Sequence, residues 1–355
     1  MSDIAPGRLG DPASSLGTDP RTDARLATAL AAFGLDALAA EPPLTVTSPR
    51  EDLLGFIAAA EEGFEALFGA ALAGVDPVAG VDRKTLTVPG TAGHEITLHV
   101  HKPAGAIGPL PCIVHMHGGG MVLLEAGGAA YTRWRDELAA SGLVVVGVEF
   151  RNGGGAQGVH PYPAGPDDCA DAVRWVHAHL GELGGSHIVV SGESGGGNLT
   201  LATAVRANRE GWIGEIAGLY AQCPYVHDPR DGATALTSAR ENDGYFISES
   251  MLVLLAEVYD PEGKNAQEAT CWPSHAAAAD LTGLPPTIIS VNELDPLRDD
   301  GLAMYQRLIA AGVPAAARIV PGTCHAGDVI FRAALPDVYA ATIRDISGFA
   351  RSLGG

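Results

Sequence analysis

The sequence predicts an α/β protein, with a mostly parallel central sheet, helices on both of its faces and a helical cap. Three observations carry that expectation. From about residue 84 onward, short apolar runs of strand length alternate with longer stretches of helical periodicity. Several of these runs, such as Leu143-Val-Val-Val-Gly-Val-Glu-Phe and Thr287-Ile-Ile-Ser-Val, are almost continuously apolar, the pattern of strands covered on both sides. Finally, Ser194 lies in a Gly-x-Ser-x-Gly pentapeptide between the apolar run Ile188-Val-Val and a helical stretch from Asn198 to Asn208, so it falls on a tight strand-to-helix turn whose glycines relieve crowding.

Taken in order, residues 1–22 are rich in Gly, Pro, Ser, Asp and Thr without periodicity, which suits a mobile tail or a strap over the fold. Helical patterns follow at Asp23 to Leu38 and Pro49 to Leu72. Alternation at Thr85-Leu-Thr-Val and Ile96-Thr-Leu-His-Val predicts two antiparallel strands. The strand Cys112-Ile-Val-His-Met, a helix near Tyr131 to Ala140, the strand from Leu143, a helix from Pro166 to Leu180 and the strand Ile188-Val-Val then lead to the serine. Later strands are expected at Ile216 to Ala221, Thr287 to Val291 and Ala315 to Val320, with helices at Gly301 to Ala311 and Leu335 to Leu353. Between Tyr225 and about Pro285 the alternation fails; this stretch carries Asn242-Asp-Gly-Tyr-Phe-Ile, a helical Ser250 to Tyr259 and the small-residue run Ala276 to Ala279. The expected organisation is therefore a catalytic domain from residues 76–225 and 281–355, a tail with cap helices in residues 1–75, and a cap insertion at 226–280.

Composition narrows the function. The 355 residues are 46% hydrophobic, enough for one large core, and 22 Lys plus Arg against 42 Asp plus Glu give a net charge of −20 that repels phosphate backbones and anionic membranes. Nucleic acid is excluded as a partner, and a small-molecule substrate is expected instead. Five scattered cysteines without Cys-x-x-Cys spacing suggest free thiols in a reducing cytoplasm. The opening Met1-Ser-Asp-Ile-Ala-Pro-Gly-Arg carries no export pattern and no stretch is apolar enough to span a membrane, so no membrane insertion is expected.

An activated serine needs a base, the base needs an orienting acid, and the oxyanion needs backbone donors. Donors are offered by His117-Gly-Gly-Gly-Met121 after the strand Cys112 to Met116, through Gly118, Gly119 and Gly120, and by Gly195 next to the serine. The acid candidates follow the strand ending at Val291; Asp295 sits at its C-terminal edge, where open α/β sheets bind ligands, whereas Asp299 and Asp300 would begin and cap the next helix. The base candidate is His325 in Gly322-Thr-Cys-His-Ala-Gly327. The order Ser194, Asp295, His325 is that of α/β-hydrolases.

These segments, together with Glu149-Phe-Arg-Asn, His160-Pro-Tyr-Pro-Ala-Gly, Glu241-Asn-Asp-Gly-Tyr-Phe-Ile and Asp328-Val-Ile-Phe-Arg, resemble the hormone-sensitive-lipase-like family of α/β-hydrolase esterases over roughly residues 110 to 350. The resemblance implies Ser194 as nucleophile, His325 as general base and then acid, Asp295 as the residue fixing the imidazole tautomer, and an oxyanion hole from the His117–Gly120 motif and Gly195. It implies no cofactor, a cap from residues 23–72 and about 226–280, and is compatible with a homo-oligomer. Two positions depart from the family pattern: Gly195 stands where many relatives have alanine, and Ala326 precedes Gly327 where a glycine often comes directly after the histidine.

Plainer readings compete at each position. Ser194 could be an ordinary tight turn, Asp295 a helix cap with Asp299 as the acid, and His325 a surface-loop histidine among the twelve in the chain. His115 and His117 share one strand face, as a metal pair would, but no further ligand has suitable spacing, so no metal is expected. Glu149 and Arg151 are expected to brace the active-site floor as a salt bridge, and alkylation of Cys324 beside the base to obstruct the site. The functional expectation is a serine carboxylesterase for short-acyl esters; preference for lactones or bulky esters is the alternative, and a non-catalytic ligand-binding hydrolase scaffold is argued against by the presence of all three triad residues.

Overall fold

The computed structural model describes residues 5–231 and 236–354. The first four residues of the expected tail, which open the stretch read for an export pattern, and residues 232–235 of the expected cap insertion lie outside the described residues. The strands are β1 (Val81–Pro89), β2 (Glu95–Pro103), β3 (Leu110–Met116), β4 (Val144–Glu149), β5 (Gly185–Glu193), β6 (Gly218–Gln222), β7 (Thr287–Asn292) and β8 (Ala315–Val320). The helices are α1 (Ala24–Ala31), α2 (Arg50–Ala71), α3 (Ala129–Ala140), α4 (Ala164–Ala178), α5 (Leu180–Leu183), α6 (Gly195–Glu210), α7 (Thr237–Glu241), α8 (Glu249–Tyr259), α9 (Ala278–Leu281), α10 (Arg298–Ala310), α11 (Gly327–Ile330) and α12 (Pro336–Ser352).

The eight strands form one sheet in the order β1-β2-β4-β3-β5-β6-β7-β8. The β1–β2 and β2–β4 pairs are antiparallel, as the alternating sequences of the first two strands predict, and every later pair is parallel. Period-two alternation splits the central strands between two cores. Ile113, Val145 and Val189 face Trp134 and Leu138 of α3 and Tyr339 and Ile346 of α12. Their neighbours Val114, Val146 and Val190 face the other way, into the core that holds Val173 of α4 and Leu199 of α6. Each such apolar side chain taken fully out of water contributes roughly 1.5–3 kcal/mol.

The chain winds outward from β3 in one direction to β4 and from β5 in the other direction to β6. The crevice beyond the C-terminal ends of β3 and β5 is therefore the switch point of the sheet, where ligands bind in open α/β folds. Both glycine-rich motifs leave the sheet there.

Some element boundaries differ from the sequence reading. α1 stops at Ala31, with Asp23 accepting from the Arg25 N–H at 2.8 Å at its start and Gly34 at φ +70° turning the chain away after it. α6 begins at Gly195, three residues before the expected Asn198, so the glycines form its first turn. Residues 8–23 are held as a strap: Arg8 donates to Asp243, Arg21 to Asp19 and Glu241, and Asp23 N–H to the Gly322 carbonyl. Among the described residues no helix is long and apolar enough to cross a membrane. All five cysteines are free and buried.

Candidate active site

Ser194 occupies the turn between β5 and α6 at φ 57°, ψ −118°, a conformation that costs on the order of 1–3 kcal/mol and persists only where the surroundings enforce it. Here the N–H of Ser194 donates to the Gln222 carbonyl at 2.9 Å, and its own carbonyl accepts from Asn198 and Tyr225. The flanking glycines are steric requirements: a Cβ on Gly192 would lie 2.4 Å from the Met116 and Gly196 carbonyl oxygens, and one on Gly196 would lie 1.9 Å from that of Met116. Glycine at these two positions thus lets β3 and the start of α6 approach this closely.

Asp295 follows β7 and is fully buried. One carboxylate oxygen accepts from the Leu297 N–H at 2.8 Å, and the other lies 2.8 Å from Nδ1 of His325. The two other acid candidates point elsewhere. Asp299 accepts from Ser238 N–H and Arg298, and Asp300 from the N–H groups of Val226 and His227. They tie Ser238 at the start of α7 and the backbone of Val226 and His227 to α10, so the expectation that they cap their own helix is corrected: α10 starts from Leu297 without a side-chain cap.

His325 is carried on the loop after β8, 6% exposed, and Ser194 is 8% exposed. Both open into one pocket of about 70 Å³ that is also lined by Gly119, Gly120, Phe64, Phe68 and Leu255. The residue after the histidine, Ala326, takes a left-handed φ of 51°. That conformation explains why glycine is the usual choice there, and alanine bears its steric cost.

The backbone donors divide unequally. Gly118 N–H donates to Oε1 of Glu193 at 2.7 Å, so it is not free for a substrate oxygen, a correction to its place among the candidate donors of the motif. The N–H groups of Gly119, Gly120 and Gly195 make no hydrogen bond among the described residues. That of Gly195 is also the first of α6, where the partial positive end of the helix favours an anion.

Glu193 is the residue that sequence reasoning passed over, although it lies inside the pentapeptide. Its second oxygen is 2.9 Å from Nε2 of His115, so a buried carboxylate between strand and loop fixes the glycine turn. His117 donates through Nδ1 to the Gly118 carbonyl at 2.8 Å and stacks on Phe150 at 4.2 Å; burial holds this imidazole below its ordinary pKa and hence neutral. Neither histidine is disposed toward a shared ion. Cys223 brings its sulfur within 4.8 Å of the Asp295 and His325 ligand atoms, and burial pushes its thiol pKa well up.

One further expectation is corrected. Glu149 and Arg151 do not pair: the chain turns as β4 ends, so Arg151 grips Asp168 at 2.8 Å while Glu149 accepts from the N–H groups of Ala126 and Gly127 and lies 3.5 Å from His99. Cys324 is fully buried, and burial raises its thiol pKa, which disfavours the thiolate that an alkylating reagent attacks.

Comparison with known proteins gives a consistent result. Residues 113–328 match a family described as having the alpha/beta hydrolase fold. A carboxylesterase of Mycobacterium tuberculosis, NlhH, is 34% identical over 267 residues, covering 73% of this chain and 79% of that protein. The solved structure of brefeldin A esterase, titled a bacterial homologue of human hormone sensitive lipase, superposes with a TM-score of 0.94 at 45% identity and covers 99% of both chains. That of esterase Est22 superposes with a TM-score of 0.85 at 34% identity, covering 96% of this chain and 100% of the other.

Proposed function

From the premise that this chain belongs to the hormone-sensitive-lipase-like family of α/β-hydrolase carboxylic ester hydrolases, we propose that it cleaves short-acyl esters through an acyl-enzyme on Ser194. The observation that carries this reading is the 2.8 Å contact between Asp295 and His325 Nδ1 in the same pocket as the strained Ser194. Asp295 holds the imidazole with its Nδ1 proton in place, leaving Nε2 to accept the Ser194 proton as Oγ attacks the ester carbonyl. The tetrahedral oxyanion is received by the N–H groups of Gly119, Gly120 and Gly195. Its collapse breaks the bond to the alcohol oxygen, which leaves with the proton returned by His325; water, deprotonated by the same nitrogen, then releases the acid.

Residues 23–72 and the stretch from about 226 to 280 serve as the cap, because Phe64 and Phe68 of α2 and Leu252 and Leu255 of α8 roof the pocket. At about 70 Å³ that pocket supports a short acyl group. The name of brefeldin A esterase brings a bulkier ester to mind as a second reading, and the small roofed volume favours the first.

The test is release of p-nitrophenol from p-nitrophenyl butyrate. A burst equal to the enzyme concentration is expected, with turnover in Ser194→Ala lower by about 10⁵-fold or more. Undiminished turnover in that variant would overturn the reading.

A further inference from the structure

Beside the catalytic pocket lies a much larger apolar trough of about 560 Å³, between the segment at residues 33–42 and α2, with Phe33, Leu35, Pro42, Phe56 and Leu67 among its walls. Four residues, Phe64, Phe246, Ile247 and Met251, line both spaces. The trough and the pocket are therefore separated by one layer of side chains, and Phe246 is its centre. Its ring meets Phe64 edge-on at 6.5 Å and Phe331 at 5.7 Å.

The backbone of Phe246 is held at φ +71°. For a bulky residue this is a true outlier, costing on the order of 1 kcal/mol or more, and it survives only when neighbours enforce it. They do so from both sides. Asn242 donates to the carbonyls of Glu293 and Asp295, the Gly244 carbonyl accepts from Ala39, and the Tyr245 hydroxyl donates to Asp19 at 3.1 Å and lies 2.7 Å from the Ser14 hydroxyl. The segment that carries the ring is thus strapped between the loop of the candidate acid and the N-terminal strap.

Resting on the acyl-enzyme reading, we propose that Phe246 is the specificity-determining partition of this site, closing the pocket off from the trough, and that the trough takes up the apolar chain of a longer ester once the ring is removed. With the ring in place the reachable space is the small pocket and short acyl groups are preferred. Without it, a chain bound at Ser194 runs on into the trough between α2 and the segment at residues 33–42.

The experiment compares p-nitrophenyl butyrate with p-nitrophenyl octanoate on wild type, Phe246→Ala and Phe246→Gly, the glycine variant removing the backbone strain together with the ring so that loss of folding is not the result. Each methylene newly buried is worth about fourfold, so the octanoate-to-butyrate ratio of kcat/KM should rise about tenfold or more in both variants. Adding Ala60→Trp, which fills the trough from α2, should return the ratio to the wild-type value. A full p-nitrophenol burst with a ratio within about twofold of wild type, less than one buried methylene supplies, overturns the proposal alone. Absence of a Ser194-dependent burst in the wild type overturns the acyl-enzyme reading and the proposal with it.

Discussion

At the scale of the residue, the site depends on contacts that leave no room for a single added carbon. Gly195 is the clearest case. A Cβ there would lie 2.6 Å from the Met121 nitrogen and 2.7 Å from that of Gly120, so the turn carrying two of the proposed oxyanion donors rests directly on the start of α6. An alanine there cannot be accommodated without pushing that turn away. Gly195→Ala is therefore expected to lower kcat by about 10²-fold, the cost of misplacing an oxyanion donor, with a smaller change in KM. Steady-state kinetics on p-nitrophenyl butyrate decide this, and a variant with wild-type kcat would show that the turn yields freely. Glu193 belongs to the same scale, since its carboxylate fixes the turn from below.

At the scale of the element, α2 is anchored over the site by one buried carboxylate. Glu61 accepts from the N–H of Leu124 at 2.6 Å and from that of Ala156 at 2.6 Å, joining the helix to the loops after the glycine motif and after β4. Phe64 and Phe68, one and two turns further along, line the pocket. Glu61→Gln keeps the size of the side chain but turns an NH₂ donor toward one of the two N–H groups, leaving a buried donor unsatisfied at a cost of about 1–3 kcal/mol. The expected outcome is a stability loss of that size by urea unfolding and a raised KM, with burst amplitude per enzyme intact. An unaltered KM in a destabilised variant would mean that α2 contributes stability without shaping the pocket.

At the scale of the whole molecule, stability rests on buried ion pairs as well as the two apolar cores. Burial alone would raise the carboxyl pKa of Asp136, but His101 at 2.8 Å and Arg83, which donates twice at 2.7 Å, hold it below the ordinary 3.8. Arg298 and Arg21 likewise outweigh burial to hold Glu241 below 4.5. A carboxyl whose pKa is lower in the folded than in the unfolded chain stabilises the fold above the unfolded value, and that stabilisation is lost as pH falls through the folded value. The contribution of these groups should therefore be constant from pH 7 to about 5 and decline below about 4.5. The formal charge of −20 works in the opposite sense, because protonating unpaired carboxylates relieves repulsion. Comparing urea midpoints of wild type and Asp136→Asn across pH separates the two: the gap between them should narrow as the pH drops below 4. A gap that is the same at pH 7 and pH 3 would place the effect of Asp136 in packing alone.

The sequence by itself determined the sheet, the elbow and the family. Apolar runs of fixed period and glycines of fixed spacing report backbone constraints that are local, and the parallel sheet, the strand-to-helix turn at Ser194 and the order Ser194, Asp295, His325 are all written that way. The choice among Asp295, Asp299 and Asp300 is not local: all three fall within eight residues after β7, and which one meets His325 depends on how Ser238, Val226 and His227 capture the other two. The same holds for Gly118, whose N–H is taken by Glu193 from the neighbouring strand, for Arg151, which turns to Asp168 rather than Glu149, and for Phe246, whose backbone is strained by a strap more than 200 residues earlier in the chain. Periodicity carries no information about partners distant in sequence, so these pairings, and with them the volume and walls of the pocket, were decided only when the tertiary structure brought the segments together.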